Sequence, residues 1–566
     1  MTLDPSADAP TSEAPTGGPT VAPSARTASR TPAVPWLDRP GTGRWVAVGL
    51  GVVAAIACSW GIATPWPWTD EGATYLALQR DWAGLTPLWQ GPQAPLMPYY
   101  YLAKAWAELW SFWPTLVALR MLSAAAGVAT VVVLYALVAR NAGRFAGVLA
   151  GLVLLSLPGF VRFAQEARPY ALLALLATVS WLASDRRLRP GRVALGFRSV
   201  VPAPGSAIGG GFGAVAGHLL SLAAVGAIHT FGVFQWPAQF LAWLVAPGEL
   251  RLRLRRAASI LLTVGAAAVL AGAQLAVSAA HGTGPPKLGG SHWLVTPKTI
   301  AEKLLSAISM NDALPVSAII LILALAGLFS RPGGRRELPV SLLIWLVVPL
   351  AIALAVSVVR TNLFQPRYWL AFLPPLAALA ALGLVALASL LVRLVWRVPA
   401  ADAASWSPAA RVGAGVTALL VLAVQVAAVL PEQNYVRSAR GHRQDLSGVF
   451  AAIAQARAEH PEVRVVISQG NANGMIGAAD PAIMANNPLS RIDPSTPMVY
   501  STLPTPQAVR ASLAGERYLL WIYKGEVTAD KVARKVPAPL AELQPTILQV
   551  SPVGTGWTAV LMDLQK

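Results

Sequence analysis

Residues 44–71 read RWVAVGLGVVAAIACSWGIATPWPWTDE, an apolar run from Trp45 to Ala63 followed closely by two adjacent carboxylates, Asp70 and Glu71. The run approaches the roughly 20 residues that an α-helix needs to cross a bilayer. A carboxylate at a membrane interface is costly unless it is solvated, paired or used, so Asp70 and Glu71 are candidates for function. They equally suit the acidic first turn of a helix with Thr69 as its N-cap. No small-residue cleavage pattern follows the run, which therefore reads as an uncleaved anchor rather than a signal peptide.

Outward from this stretch the pattern repeats. Of 566 residues, 55% are hydrophobic and 12% charged, and the mean hydropathy is +0.54; a soluble core cannot absorb that composition. Apolar runs recur at Thr115 to Ala139, Phe145 to Phe160, Tyr170 to Ala183, Phe212 to Ala227, Phe231 to Val245, Ala257 to Ala280, Leu314 to Phe329, Leu338 to Val359, Tyr368 to Trp396 and Val412 to Leu430. With the first run they predict about eleven crossings. Pro339 suits the first turn of its helix, whereas Pro374 and Pro375 predict a kink inside Tyr368 to Trp396. Between Asp70 and Trp113 lie Trp82, Trp89, Tyr99, Tyr100, Tyr101, Trp106 and Trp110, broken by Pro87, Pro92, Pro95 and Pro98. Such aromatic density predicts short helices along the membrane surface, with Lys104 and Glu108 as an i,i+4 pair.

The net charge of +18 sits between apolar runs, which is a topology signal, and no nucleic-acid-binding module is present. One alternating set of loops holds Arg140, Arg144, Arg186, Arg187, Arg189, Arg192, Arg198, Arg251, Arg253, Arg255, Arg256, Arg331, Arg335, Arg336, Arg393, Arg397 and Arg411. The other holds Arg80, Lys104, Arg162, Arg168, Lys287, Lys298, Lys303, Arg360 and Arg367 in longer segments. The richer set is expected to face the cytoplasm. Asp70, Glu71, Asp81, Glu108, Glu166, Glu302 and Asp312 then face outward, with the N-terminus inside and the C-terminus outside. The arginines near 186–198 and 251–256 read as topological determinants rather than lipid-headgroup ligands. Cys58, the lone cysteine, excludes an intrachain disulfide and reads as a small buried hydrophobe.

Three domains follow. Residues 1–43, rich in Pro, Ala, Ser and Thr, predict a disordered cytoplasmic tail; residues 44–430 form the membrane domain. From 431 to 566 the composition becomes that of an extracytoplasmic α/β domain. Its expected strands are Val463 to Ser468, Tyr518 to Tyr523, Ile547 to Val550 and Trp557 to Met562, and Asp445 to Glu459 its helix. Gly470-Asn471-Ala472-Asn473-Gly474 reads as a turn, with approach to a ligand as the alternative.

Two further outer stretches hold polar groups: Gln165-Glu166-Ala167-Arg168-Pro169-Tyr170, and Gln365-Pro366-Arg367-Tyr368-Trp369. A local ion pair and a snorkelling arginine explain them as readily as a ligand does. Taken in order with Thr69-Asp70-Glu71, Pro95-Leu96-Met97-Pro98-Tyr99-Tyr100-Tyr101, Arg120-Met121-Leu122-Ser123 and His229-Thr230-Phe231-Gly232, they carry a family resemblance. Residues 45 to 396 resemble the polyprenyl-phosphate-sugar-dependent membrane glycosyltransferases of the GT-C superfamily, near the protein O-mannosyltransferase and lipid A aminoarabinose transferase branch. The usual Pro-Pro-Leu-Tyr-Tyr is altered here to Pro-Leu-Met-Pro-Tyr-Tyr, and the C-terminal domain has no counterpart in the resemblance.

The resemblance implies a plasma-membrane (inner-membrane) enzyme that moves a sugar, mannose first among candidates, from a polyprenyl phosphate to a glycan, lipoglycan or protein acceptor on the outer face. Inversion at the anomeric carbon is implied, because no nucleophile stands out. Asp70 would be the general base and Glu71 would orient it or the acceptor. Arg168, Arg367 and Lys104 would hold the donor phosphate. Glu166 would hold Arg168 or the sugar, and Gln165, Tyr170, His229 and Tyr99 would contact substrate. Some members of the resembled group use a divalent metal and others do not, and no spacing of acids here demands one. A transporter or lipid flippase would show internal repeats and ionisable residues at helix centres, and neither is present. A non-catalytic envelope assembly protein is the remaining alternative.

Overall fold

The computed structural model describes residues 41–189, 212–281, 297–309, 314–332, 336–359, 365–397, 407–490, 492–500 and 503–565. The predicted tail to residue 40, and Arg192, Arg198, Lys287, Asp312, Arg335 and Arg360, lie outside these residues. Every predicted apolar run coincides with helix. The membrane part comprises α1 (Thr42–Ser59), α2 (Thr69–Leu78), α3 (Trp82–Leu85), α4 (Met97–Leu109), α5 (Thr115–Ala142), α6 (Arg144–Ser156), α7 (Pro158–Ala164), α8 (Tyr170–Leu188) and α9 (Phe212–Ile228). It continues with α10 (Gln235–Val245), α11 (Leu250–His281), α12 (Pro297–Ser309), α13 (Leu314–Leu328), α14 (Glu337–Val359), α15 (Leu373–Trp396) and α16 (Pro408–Val436).

Among the described residues six helices are long and apolar enough to cross a membrane: α1, α5, α11, α14, α16 and the joined segment Pro366–Trp396. The chain is a multi-pass membrane protein. The predicted crossing Phe145 to Phe160 is instead broken, with α6 and α7 meeting at 75°. Pro158 explains the break: it lacks an N–H and forces Leu157 out of helical geometry, to ψ 113°. Pro374 and Pro375 do not kink a continuous helix, as the sequence predicted. They occupy the first turn of α15, where a missing N–H goes unnoticed, and a 3₁₀ turn, Pro366–Phe372, precedes them.

The segments differ in what surrounds them. In its most apolar window, α5 is 67% buried and Pro366–Trp396 is 72%, against 22% for α1 and 28% for α11. α5 and α15 are thus central, and α1 and α11 form part of the rim. α13 and α15 touch backbone to backbone: a Cβ on Gly383 would lie 1.8 Å from the Leu323 carbonyl oxygen, and one on Gly327 would lie 2.0 Å from that of Leu379. Small residues at such contacts replace the hydrophobic drive that lipid removes. Cys58 is buried and free.

Helices α2 to α4 and the 3₁₀ turns Thr86–Gln90 and Ala94–Leu96 make no crossing. Beyond α16, which continues through Pro431, come α17 (Ser447–Glu459), α18 (Gly470–Ala479) and four strands: β1 (Arg464–Ile467), β2 (Tyr518–Lys524), β3 (Thr546–Pro552) and β4 (Trp557–Asp563). All four fall where the β-branched and aromatic runs predicted. The sheet order is β1-β2-β4-β3, with β1 parallel to β2 and the other pairs antiparallel. Side chains alternate between its faces. Leu520, Ile522, Ala559 and Leu561 pack with Val449 and Ile453 of α17, while Leu519, Trp521, Val560 and Met562 form a second core on the other face.

The predicted turn Gly470 to Gly474 is the start of α18. It lies on α2, and its glycines make the contact: a Cβ on Gly474 would meet the Gly72 oxygen at 2.6 Å, and one on Gly72 would meet the Met475 nitrogen at 2.7 Å. The helix that carries Asp70 and Glu71 is therefore clamped by the C-terminal domain.

Candidate active site

Helix α2 places its two acids in different surroundings. Glu71 is fully buried and receives Arg120 of α5 with two parallel bonds, Nε to Oε1 and Nη2 to Oε2, both 2.8 Å. Its Oε1 also accepts from the Ala167 N–H at 3.0 Å, and its Oε2 from the Trp68 N–H at 3.4 Å. His442 Nδ1 lies 3.1 Å from Oε2. Arg120 Nη1 reaches the carbonyls of Ile62 and Pro65 at 2.8 and 3.0 Å. Burial pushes the Glu71 carboxyl up, but Arg120 and His442 outweigh it and hold the carboxyl well below the usual range. Glu71 thereby ties the exit of α1, α2, α5, the 165–169 loop and the chain after α16 into one knot. The return cap on Trp68 comes from Glu71, not from Thr69. Thr69 is the first helical residue, and its hydroxyl receives Lys524 Nζ of β2 at 2.9 Å.

Asp70 keeps 26% of its side chain exposed, and cations approach it from two directions. Arg168 Nη2 is 3.9 Å and Arg367 Nη1 is 3.7 Å from Oδ2, and the Tyr170 hydroxyl is 3.5 Å from the same oxygen. None of these is a close bidentate pair. Arg168 also reaches Thr74 Oγ1 at 3.3 Å, and the Nε atoms of both arginines have no hydrogen-bond partner. Tyr170, Tyr368, His229 and Phe231 form an aromatic wall: Tyr368 lies 6.0, 5.2 and 5.8 Å from the other three rings. Arg367 lies over the rings of Trp68 and Tyr368 at 5.7 and 5.3 Å.

The remaining predicted residues divide. Glu166 does not hold Arg168; its carboxylate pairs with Arg162 at 2.5 Å, fully buried. Burial pushes that carboxyl up to about 7, against the pull of Arg162. Gln165 is also buried and donates to the Cys58 and Trp60 carbonyls at 3.1 and 2.8 Å, tying down the end of α1. His229 caps the turn Thr230–Phe234 by accepting from the Phe231 N–H at 3.1 Å. Burial, reinforced by Arg168 and Arg367, pulls its imidazole down to about 3, so it stands neutral beside the cluster. Tyr99 is fully buried against Tyr100, with a hydroxyl that has no partner. Lys104 pairs with Glu108 at 3.2 Å, as the spacing predicted, and lies over Trp82; it does not join Asp70.

Arg120, although it lies in one of the resembling motifs, carries no role that its sequence shows, and neither do Arg162, Lys524 or His442. The i,i+4 spacing of Arg162 and Glu166 was a local signal for one of these. Around the site three carboxylates, Asp70, Glu71 and Glu166, face four guanidiniums, Arg120, Arg162, Arg168 and Arg367. That excess of positive charge, with donors left over beside Asp70, suits a ligand carrying a phosphate. Among the described residues no three His, Cys, Asp or Glu side chains converge as a metal set.

No protein-family model matches the chain, and no curated protein matches it. Solved structures do. The crystal structure of ArnT from Cupriavidus metallidurans bound to undecaprenyl phosphate aligns with a TM-score of 0.52 at 16% identity, covering 92% of this chain and 98% of that one. Its apo state gives 0.53 at 15% identity, with the same coverage. The archaeal oligosaccharyltransferase AglB from Archaeoglobus fulgidus, in complex with an inhibitory peptide and a dolichol-phosphate, gives 0.50 at 14% identity, covering 91% and 74%.

Proposed function

From the GT-C fold that the chain shares with these structures, we propose that the protein transfers a sugar from a polyprenyl phosphate to a hydroxyl acceptor on the outer face of the plasma membrane. The observation that carries the reading is Asp70, flanked by Arg168 from the 165–169 loop and Arg367 from the 3₁₀ turn before α15, at 3.9 and 3.7 Å. The solved relatives bind undecaprenyl phosphate and dolichol-phosphate, which supports a lipid phosphate as the anion for these arginines.

The acceptor oxygen attacks the anomeric carbon, forming the new glycosidic bond while the bond from that carbon to the phosphate oxygen breaks. The electron pair leaves with the polyprenyl phosphate, and the acceptor proton passes to Asp70. One displacement inverts the anomeric centre. Charge grows on the phosphate in the transition state, so fixed guanidiniums lower the barrier more than they strengthen ground-state binding. The donor phosphate also competes with Asp70 for the same two arginines. Its arrival releases the carboxylate to take the proton, so donor and acceptor engage in order. Glu71, with both oxygens occupied, orients Asp70 rather than touching substrate.

Mannose is the first sugar to test, with an envelope glycan, lipoglycan or protein as acceptor. Purified protein incubated with a panel of polyprenyl-phosphate sugars should consume one of them and release polyprenyl phosphate. Consumption of none, with acceptor extracts supplied, would remove the reading.

A further inference from the structure

We infer that His442 is a positioning residue for the transfer: as a neutral imidazole carrying its proton on Nδ1, it donates to Glu71 and so fixes the aim of Asp70 from the C-terminal side of the chain. This rests on the reading of Asp70 given above.

His442 follows α16, in the segment leading to α17, and is fully buried. Its Nδ1 has two neighbours: Glu71 Oε2, an acceptor, at 3.1 Å, and Arg120 Nη2, a donor, at 3.2 Å. Its Nε2 is buried with no partner. Three protonation patterns are available and geometry separates them. With the proton on Nε2, Nδ1 can accept from Arg120 Nη2, but a buried N–H is orphaned and the Nδ1 lone pair faces a carboxylate oxygen 3.1 Å away. With both nitrogens protonated, the orphan remains and a further charge is added beside Arg120. With the proton on Nδ1 alone, Glu71 gains a donor and only an acceptor is left unpaired, the least costly orphan. Burial and the nearby Arg162 charge pull the imidazole down to about 3, which agrees with the neutral form.

The consequence concerns Asp70. Glu71 shares the first turn of α2 with Asp70 and caps the Trp68 N–H, so a fixed Glu71 carboxylate fixes the helix start from which Asp70 projects. Arg120 spans both oxygens of Glu71, the Ala167 N–H adds to Oε1 and the Trp68 N–H to Oε2, and His442 approaches Oε2 from a residue 371 positions away. The same segment is anchored by the Trp66 N–H donating to the Ala439 carbonyl at 2.9 Å and by Trp66 stacked on Phe450 at 5.1 Å. These contacts, and the α2–α18 clamp, survive a change at His442, so its substitution is expected to leave the fold intact.

The test compares His442→Asn, His442→Gln and His442→Ala in the full-length purified protein. An asparagine amide can occupy the place of Nδ1–H, whereas glutamine reaches toward that of Nε2. His442→Asn should keep kcat within about twofold of wild type, while Gln and Ala lower it about tenfold with the donor KM unchanged, the size expected for a small misplacement of a reacting group. Equal activity of all three variants and the wild type, or an equal loss in all three, overturns the assignment. Nitrogen-15 NMR on histidine-labelled protein gives a reading independent of turnover. Only six histidines are present, so subtraction of the Asn variant isolates His442. A neutral Nδ1–H tautomer is expected; an Nε2–H or doubly protonated ring overturns the inference even if no donor is ever turned over, and absence of turnover with the expected tautomer removes the transfer reading alone.

Discussion

Successive residues on an α-helix point about 100° apart, so the side chains of Asp70 and Glu71 leave the start of α2 in different directions. One is buried and bonded on both oxygens, and the other meets only loose contacts from Arg168 and Arg367. Removing the Glu71 charge leaves Arg120 buried and uncompensated, which costs about 3–5 kcal/mol. Glu71→Gln should therefore lower the unfolding midpoint in detergent far more than Asp70→Asn does. The pH dependence has a definite sign. The Glu71 carboxyl sits lower in the folded than in the unfolded chain. Its stabilisation is full above the ordinary glutamate range and is lost as pH falls through the folded value. Unfolding curves of the wild type should lose stability toward acid more steeply than those of Glu71→Gln. Replacing Arg168 or Arg367 by lysine keeps charge but loses the planar pair of donors, and kcat should fall about tenfold or more. Asp70, Arg168 and Arg367 were legible because each lies in a short motif beside an apolar run. Arg120 and His442 were not, because nothing local to either reveals a partner as distant as Glu71.

At the scale of elements, α2 is held by α18 through Gly72 and Gly474. Alanine in place of glycine inside a helix ordinarily stabilises by roughly 0.5–1 kcal/mol. Here the added carbon meets backbone at 2.6–2.8 Å, so the sign reverses. Gly72→Ala and Gly474→Ala should each loosen the C-terminal domain, seen as faster limited proteolysis between α16 and β1, and lower transfer activity. The start of α18 read as a turn because glycine and asparagine favour turns; packing on α2 overrides that preference. The broken α6–α7 span was hidden because hydropathy counts apolar residues but is blind to Pro158 interrupting the backbone; Pro374 and Pro375 were read as a kink, whereas they start a helix.

Across the whole molecule the membrane class and the positions of the apolar helices followed from hydropathy, and the four strands from their β-branched and aromatic runs. The union of the two parts did not. Arg80, just after α2, donates to the carbonyls of Thr496 and Met498 in the C-terminal domain, and such side-chain-to-backbone contacts leave no periodic trace. The C-terminal domain is thus fastened to the helix that carries the acids, and its removal after Val436 should abolish activity rather than merely weaken acceptor binding. The measurement that bears most directly on the account is release of polyprenyl phosphate by purified wild type and Asp70→Asn under one set of lipid and donor conditions. Release by the wild type is expected, with a rate lower by about 10²–10⁴-fold in the variant and donor binding retained. Undiminished release by Asp70→Asn would contradict the role of Asp70 as the base.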